Sequence, residues 1–149
     1  MKTQTIITDI THDDLVDLLC TATYGSNWLQ CFAPDKEGLD IQEMDCLEDV
    51  WAKALLAGKK IGCVDNLTAG EIYGNLGHID EDGDAVYLIS LKDVRNGLEN
   101  AFDGTFLRAG DLAEWIRECV VHLISGEGEL DQPEAEALMQ IIMFNEIVY

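Results

Sequence analysis

The last segment of the chain is too apolar to fold as a surface element. From Leu138 onward the sequence reads "LMQIIMFNEIVY", which is apolar nearly all round a helix. Asp131, Pro133 and Glu134 precede this segment as a helix start, with the proline near the first turn, where its missing N–H costs nothing. The pattern predicts a helix from Asp131 that is packed into the core rather than frayed.

Four segments upstream carry apolar residues at the three- and four-residue spacing of amphipathic helices. The first and third are expected to begin after the capping residues Thr11 and Ser90, and the fourth after Asp111. The second is expected to cover Cys46–Ala57, with Trp51 among its inward positions and a glycine C-cap after it. In the fourth helix Trp115 is also expected to face inward.

Shorter segments show the alternation or the turn signals of strands. Thr3–Thr8 is expected to be a first strand and "KIGCVD" a second, whereas "GSNWLQCFAPDKEGLD" is expected to be irregular. "GEIYGNLGHI" and "AVYLIS" are expected to pair as a hairpin joined through Asp82-Gly83. The sequence therefore predicts one domain over residues 1–149, of the α+β class, with a small antiparallel sheet packed against four or five helices.

The charge of the chain restricts its partners. There are 29 acidic and 9 basic residues, which gives a formal net charge of −20. Such a chain repels nucleic acid and anionic lipid and attracts basic protein surfaces, so we expect a basic protein partner. The alternative is that the charge serves solubility alone. Because no apolar stretch approaches the ~20 residues of a membrane span, and "MKTQTIITDI" does not resemble a signal peptide, we expect a cytoplasmic protein.

Two groups of acidic residues are candidate partner-binding sites. They are Asp80, Glu81, Asp82 and Asp84 at the hairpin turn, and Glu127, Glu129 and Asp131 before the last helix. A calcium loop starting at Asp80 fails, because Ala85 and Leu91 stand where it needs glycine and glutamate. The preferred interpretation is therefore that these carboxylates present negative charge to a partner protein. The two groups would form one anionic face if folding placed them on the same side.

Tyr24 and Trp28 flank a Gly-Ser-Asn turn in "TYGSNWLQ". If both rings are exposed, they form an apolar anchor for a partner protein. The alternative is that both rings fold back over the preceding helix, as large aromatic side chains usually do.

Cysteine and histidine residues offer a weak metal site. Cys119 and His122 are three residues apart on a predicted helix, close enough to hold one zinc ion. No spacing brings further ligands to them, and the five cysteines are most simply read as small buried hydrophobes. Apart from this zinc hypothesis no cofactor is expected. Since no nucleophile elbow, phosphate-binding loop or dinucleotide fingerprint is present, the chain is not expected to be an enzyme.

Three stretches resemble a family of small acidic proteins encoded by tailed bacteriophages and prophages. They are "DLLCTATYGSNWL", "VYLISLKDVRNGLENA" and "ALMQIIMFNEIVY", about a third of the chain. The resemblance implies a phage origin and no particular chemistry. Together with the net charge of −20 and the absence of catalytic motifs, it favours a protein that binds and inhibits a basic nucleic-acid-binding defence protein of the bacterial host, such as a Cas nuclease, in the manner of an anti-CRISPR protein. A phage accessory or structural protein, or a small zinc-stabilised binding protein, is the alternative.

Overall fold

The computed structural model describes residues 9–67, 71–125 and 130–149. Within these ranges the chain forms a four-stranded antiparallel sheet and five α-helices, which confirms the predicted α+β class. In chain order the elements are α1 (His12–Thr23), β1 (Leu29–Phe32), α2 (Leu47–Leu56), β2 (Ile61–Asp65), β3 (Gly77–Ile79), β4 (Ala85–Ile89), α3 (Leu91–Asp103), α4 (Ala113–Ser125) and α5 (Gln132–Phe144). The strand predicted at Thr3–Thr8 lies outside the described residues.

The sheet has the strand order β1-β2-β4-β3, and all three pairings are antiparallel. Strand β1 lies in the segment that was predicted to be irregular, so that prediction was wrong. Its four residues are too few to show a period, and it exists because Leu29 to Phe32 pair with β2. The hairpin is confirmed, although its first arm is only three residues long, and Gly83 takes the left-handed φ of 85° that its turn requires.

Helix α5 forms the centre of the core, as predicted. Every residue from Ala137 to Phe144 is buried, and α1, α3 and α4 all pack against this helix. The approach of α3 is close: a Cβ atom placed on Gly97 would lie 2.6 Å from Cγ1 of Ile142. An apolar helix thus stays out of water because three amphipathic helices cover it.

Among the described residues, side-chain hydrogen bonds cap the starts of α1, α3 and α5, and the Asp49 carboxylate accepts the Cys46 N–H at the start of α2. Capping boxes join Thr11 to Asp14 at α1, Ser90 to Asp93 at α3 and Asp131 to Glu134 at α5. The start predicted at Asp111 was wrong. A 3₁₀ turn over Gly110–Leu112 contains Asp111, and α4 begins at Ala113.

Within the described ranges, no helix is both long and apolar enough to cross a membrane.

Candidate partner-binding site

The hairpin turn between β3 and β4 consists of residues 80–84, and we call it the acidic turn. Its four carboxylates have two different roles. Oδ1 of Asp80 accepts the backbone N–H groups of Asp82, at 3.0 Å, and Asp84, at 2.8 Å. The backbone closes the turn further, since the Asp80 N–H donates to the Asp84 carbonyl at 2.9 Å. Glu81, Asp82 and Asp84 are exposed, whereas Asp80 is half-buried. Asp80 therefore fixes the turn, and the other three carboxylates are displayed by it.

Strand register places this turn at a defined end of the sheet. Asp84 directly precedes Ala85, whose Cα pairs with Asp65 at the end of β2. Asp65 in turn pairs with Leu29 at the start of β1. Neighbouring strands are about 4.8 Å apart, so the acidic turn and the chain entering β1 at Trp28 lie at the same end of the sheet.

Trp28 is not an exposed anchor, so that part of the prediction was wrong. Its side chain is 2% exposed, and its ring centroid lies 6.0 Å from that of Phe144 in α5. The cause is local: the Ser26 hydroxyl accepts the N–H groups of Trp28 and Leu29 and turns the chain into β1. The indole is buried against α5, whereas the alternative expected both rings to fold back over the preceding helix.

Tyr24 behaves differently from Trp28. Its side chain is 83% exposed, while its carbonyl accepts a hydrogen bond of 2.9 Å from Nε2 of Gln132 in α5. The backbone of Tyr24 is thus tied to the core helix and its ring is left in solvent. The two aromatic residues do not form one anchor, but Tyr24 alone is placed where a partner can reach it.

An open cavity of about 550 Å³ lies beside this end of the sheet, and no sequence pattern had indicated it. We call it the aromatic groove. It is lined by Asn27, Trp28, Leu67, Leu112, Trp115, Pro133, Glu136, Ala137, Gln140, Ile147 and Tyr149. These residues come from the turn before β1, the turn after β2, the start of α4, one side of α5 and the segment after α5. Only the tertiary fold brings such distant segments together.

Two aromatic rings give the groove an accessible apolar lining. Trp115 is 41% exposed and Tyr149 is 44% exposed, and the buried Trp28 ring lies 5.2 Å from the Tyr149 ring. Trp115 had been expected to face the core; it lies in the first turn of α4, ahead of the buried Ile116. These half-exposed rings are apolar surface that a ligand can cover.

Three hydrogen bonds to two side chains, Asp65 and Gln140, hold Tyr149 in the groove wall. Its hydroxyl donates to Oδ2 of Asp65 at 2.6 Å, and the backbone N–H groups of Val148 and Tyr149 both donate to Oε1 of Gln140 at 2.8 Å. Burial and the Asp65 carboxylate raise the pKa of the Tyr149 phenol, so it stays protonated and remains a donor. The groove wall is therefore fixed before any ligand binds.

The groove also contains a carboxylate. Glu136 is half-buried on α5, one turn before Gln140, whose amide oxygen already accepts two backbone N–H groups. The Asp65 carboxylate is likewise engaged by Tyr149. Glu136 is thus the anionic group that the groove offers to a ligand.

The second acidic group is only partly described. Asp131 is exposed, and its Oδ1 accepts the backbone N–H of Glu134 at 3.0 Å as the cap of α5. Glu127 and Glu129 lie outside the described residues. Asp131 therefore has a structural role in the helix start, alongside the charge that it displays.

Cys119 and His122 are arranged for packing and hydrogen bonding. His122 Nδ1 lies 2.6 Å from Oε2 of Glu134, whose Oε1 accepts the Asp131 N–H at 3.1 Å. Cys119 is fully buried, and burial, followed by the nearby Glu134 carboxylate, raises the pKa of its thiol to about 12. In the part of the chain that the structure describes, no group of three His, Cys, Asp or Glu side chains could hold a metal ion.

Comparisons of the chain with known protein families, with curated proteins and with solved structures find no match.

Proposed function

We propose that the chain is a non-enzymatic binding protein that captures the basic surface of a nucleic-acid-binding protein and thereby inhibits it. The resemblance to small phage proteins favours a defence protein of the bacterial host, such as a Cas nuclease, as the partner, and the host cytoplasm as the place of action. The observation that carries the proposal is the acidic turn: three exposed carboxylates on a hairpin tip that Asp80 holds in one conformation.

The chain's own cations leave most of its negative charge available. Lys53 pairs with Asp45 at 2.6 Å and Lys59 pairs with Asp35 at 2.8 Å. With 9 basic residues against 29 acidic ones, pairing of this kind cannot neutralise the chain, whose net charge is −20. The surplus creates a field that attracts cationic surfaces and speeds their association.

Such a surface competes with nucleic acid for the same side chains. Duplex DNA presents one charge per ~1.7 Å, and proteins hold those phosphates with lysine and arginine. Carboxylates bind the same groups through charge-assisted hydrogen bonds. Because the hairpin tip is already closed by backbone and side-chain hydrogen bonds, little conformational entropy is lost when it binds. The exposed Tyr24 ring is a candidate apolar contact for the partner.

A displacement assay tests this function. A basic nucleic-acid-binding effector, a Cas nuclease first, is loaded with fluorescently labelled DNA, and the chain is titrated in while anisotropy reports the release of the DNA. Release that weakens steeply as salt rises is the expected result, because the competing contacts are ionic. If DNA stays bound to every basic effector even at low salt, the charge serves solubility and the proposal fails.

Matched variants separate the acidic turn from overall charge. Replacing Glu81, Asp82 and Asp84 by their amides removes three negative charges from the turn. Replacing Asp9, Glu37 and Glu43 by their amides removes the same charge from exposed positions elsewhere. The first variant is expected to lose DNA release and the second to keep it. Equal loss in both would assign the effect to net charge instead of the turn.

A further inference from the structure

We propose that the aromatic groove is the binding site for an arginine side chain, which is seated against Trp115 and Tyr149 with its guanidinium facing the Glu136 carboxylate. That the arginine is supplied by a basic partner protein rests on the proposed function. The groove itself is a separate feature from the acidic turn, and its lining residues define its own chemistry.

The size of the groove fits one long side chain and its neighbours. Its volume of about 550 Å³ lies within the ~300–1,000 Å³ of ordinary ligand pockets. Leu67, Leu112 and Ile147 line it as apolar surface, to which the methylene stem of an arginine is suited. A side chain of this length can place its head group inside while its backbone stays on the protein surface.

The aromatic lining favours a planar cation over other head groups. Trp115 and Tyr149 are each about two-fifths exposed, so part of each ring is free to be covered. A guanidinium stacks on aromatic faces and is attracted by their negative quadrupole, and tryptophan is the strongest such partner. The ammonium of lysine is more strongly hydrated and cannot stack, so arginine is the better occupant.

The negative charge of Glu136 in the groove also favours an arginine ligand. Among the described residues, the Glu136 carboxylate has no hydrogen-bond or ion-pair partner, whereas the other acid beside the groove, Asp65, is taken by the Tyr149 hydroxyl. A carboxylate of this kind binds a guanidinium through charge-assisted hydrogen bonds. With a net charge of −20, the chain repels an anionic ligand from the same groove.

Peptides of matched shape test the inference on the full chain. The probe is acetyl-Ala-Leu-Arg-Leu-Ala-amide, and its control replaces arginine with citrulline, which keeps the shape and removes the charge. Binding is followed by NMR through the indole N–H resonance of Trp115, assigned by its loss in Trp115→Phe. The arginine peptide is expected to shift this resonance and to bind about tenfold more tightly than the citrulline peptide. Equal affinity for both peptides, or no shift at millimolar peptide, would overturn the proposal.

Variants locate the peptide on the protein. Trp115→Ala and Glu136→Gln are each expected to weaken the arginine peptide about tenfold. Met44→Ala and Glu43→Gln change exposed residues outside the groove and are expected to leave its affinity unchanged. Retained amide dispersion in each variant shows that the fold is intact. Equal affinity across all four folded variants would place the peptide elsewhere and overturn the proposal.

The two proposals fail in different ways. If the chain releases DNA from a basic effector but does not distinguish arginine from citrulline, the groove assignment fails and the function stands. If the groove selects arginine but no basic effector releases its DNA, the groove stands and the function fails. If both succeed, Trp115→Ala is expected to raise the concentration needed for DNA release, and an unchanged concentration would show that the partner does not use the groove.

Discussion

The Tyr149 hydroxyl donates a hydrogen bond of 2.6 Å to the Asp65 carboxylate, across 84 positions of the chain. Asp65 is the last residue of β2 and pairs with Ala85, the residue that follows the acidic turn. Tyr149 lines the aromatic groove. This contact therefore joins the two candidate binding features at one end of the sheet. Because Asp65 is buried, it also makes the stability of the fold depend on the groove wall.

Removing that hydroxyl is expected to destabilise the chain. Tyr149→Phe leaves the buried Asp65 carboxylate without its phenol donor, which costs about 1–3 kcal/mol. Urea unfolding followed by circular dichroism measures the change in the free energy of unfolding. Tyr24→Phe is the matched control, because the Tyr24 side chain is in solvent and its loss of a hydroxyl is expected to change nothing. A stable Tyr149→Phe variant would contradict the role given to this hydrogen bond.

Close packing of α3 on α5 predicts a second loss of stability. A Cβ atom at Gly97 would lie 2.6 Å from Cγ1 and 2.7 Å from Cα of Ile142, so the backbone of α5 would have to move. Gly97→Ala is therefore expected to destabilise the chain by about 1–3 kcal/mol, although alanine is the better helix former. Asn96→Ala, one residue away on the exposed side, isolates the gain in helix propensity. Thermal unfolding of both variants distinguishes overpacking from propensity.

Burial of Cys119 predicts a loss of stability in alkaline solution. Its thiol pKa is raised from 9.0 to about 12, so between these values the unfolded chain releases a proton that the folded chain keeps. The folded state then binds more protons, and the free energy of unfolding falls as pH rises from about 9 to about 12. Cys119→Ala removes this group and is expected to flatten the decline, measured by urea unfolding at several pH values. Cys46 is the comparison: its thiol pKa is also raised, first by the Glu48 carboxylate, but the residue is exposed, so Cys46→Ala is expected to flatten the decline less.

Features encoded within a few residues were predictable from the sequence. The structure has the predicted cap at Ser90, whose partner Asp93 is three residues away, and α5 begins within the helix start predicted at Asp131, Pro133 and Glu134. The hairpin turn at Gly83 is equally local. Helix α5 was also placed correctly, because an all-round apolar pattern has only one environment that suits it.

Features that depend on distant pairing were not predictable. The four residues of β1 form a strand only because β2 lies beside them. Trp28 was a candidate exposed anchor and Trp115 a candidate core residue, but the structure buries Trp28, which is 2% exposed, and leaves Trp115 41% exposed. The aromatic groove joins Asn27 to Tyr149, so no local pattern describes it. Sequence reasoning thus named the exposed carboxylates of the hairpin turn and the exposed Tyr24, and missed the aromatic groove with its Glu136 carboxylate.

The acidic turn allows charge and conformation to be tested separately through Asp80. Asp80→Asn removes one negative charge but keeps an oxygen that can accept the N–H groups of Asp82 and Asp84. Asp80→Ala removes the same charge and also both hydrogen bonds, so the displayed carboxylates lose their fixed arrangement. In the DNA-displacement assay, Asp80→Ala is expected to need several times more protein than Asp80→Asn for half-maximal release, because the loosened turn must be ordered on binding.

Amide hydrogen exchange at residues 81–84 is expected to speed up in the alanine variant alone. If the two variants release DNA equally well, the carboxylates act by charge without a required geometry, and the fixed hairpin tip has no part in capturing the partner.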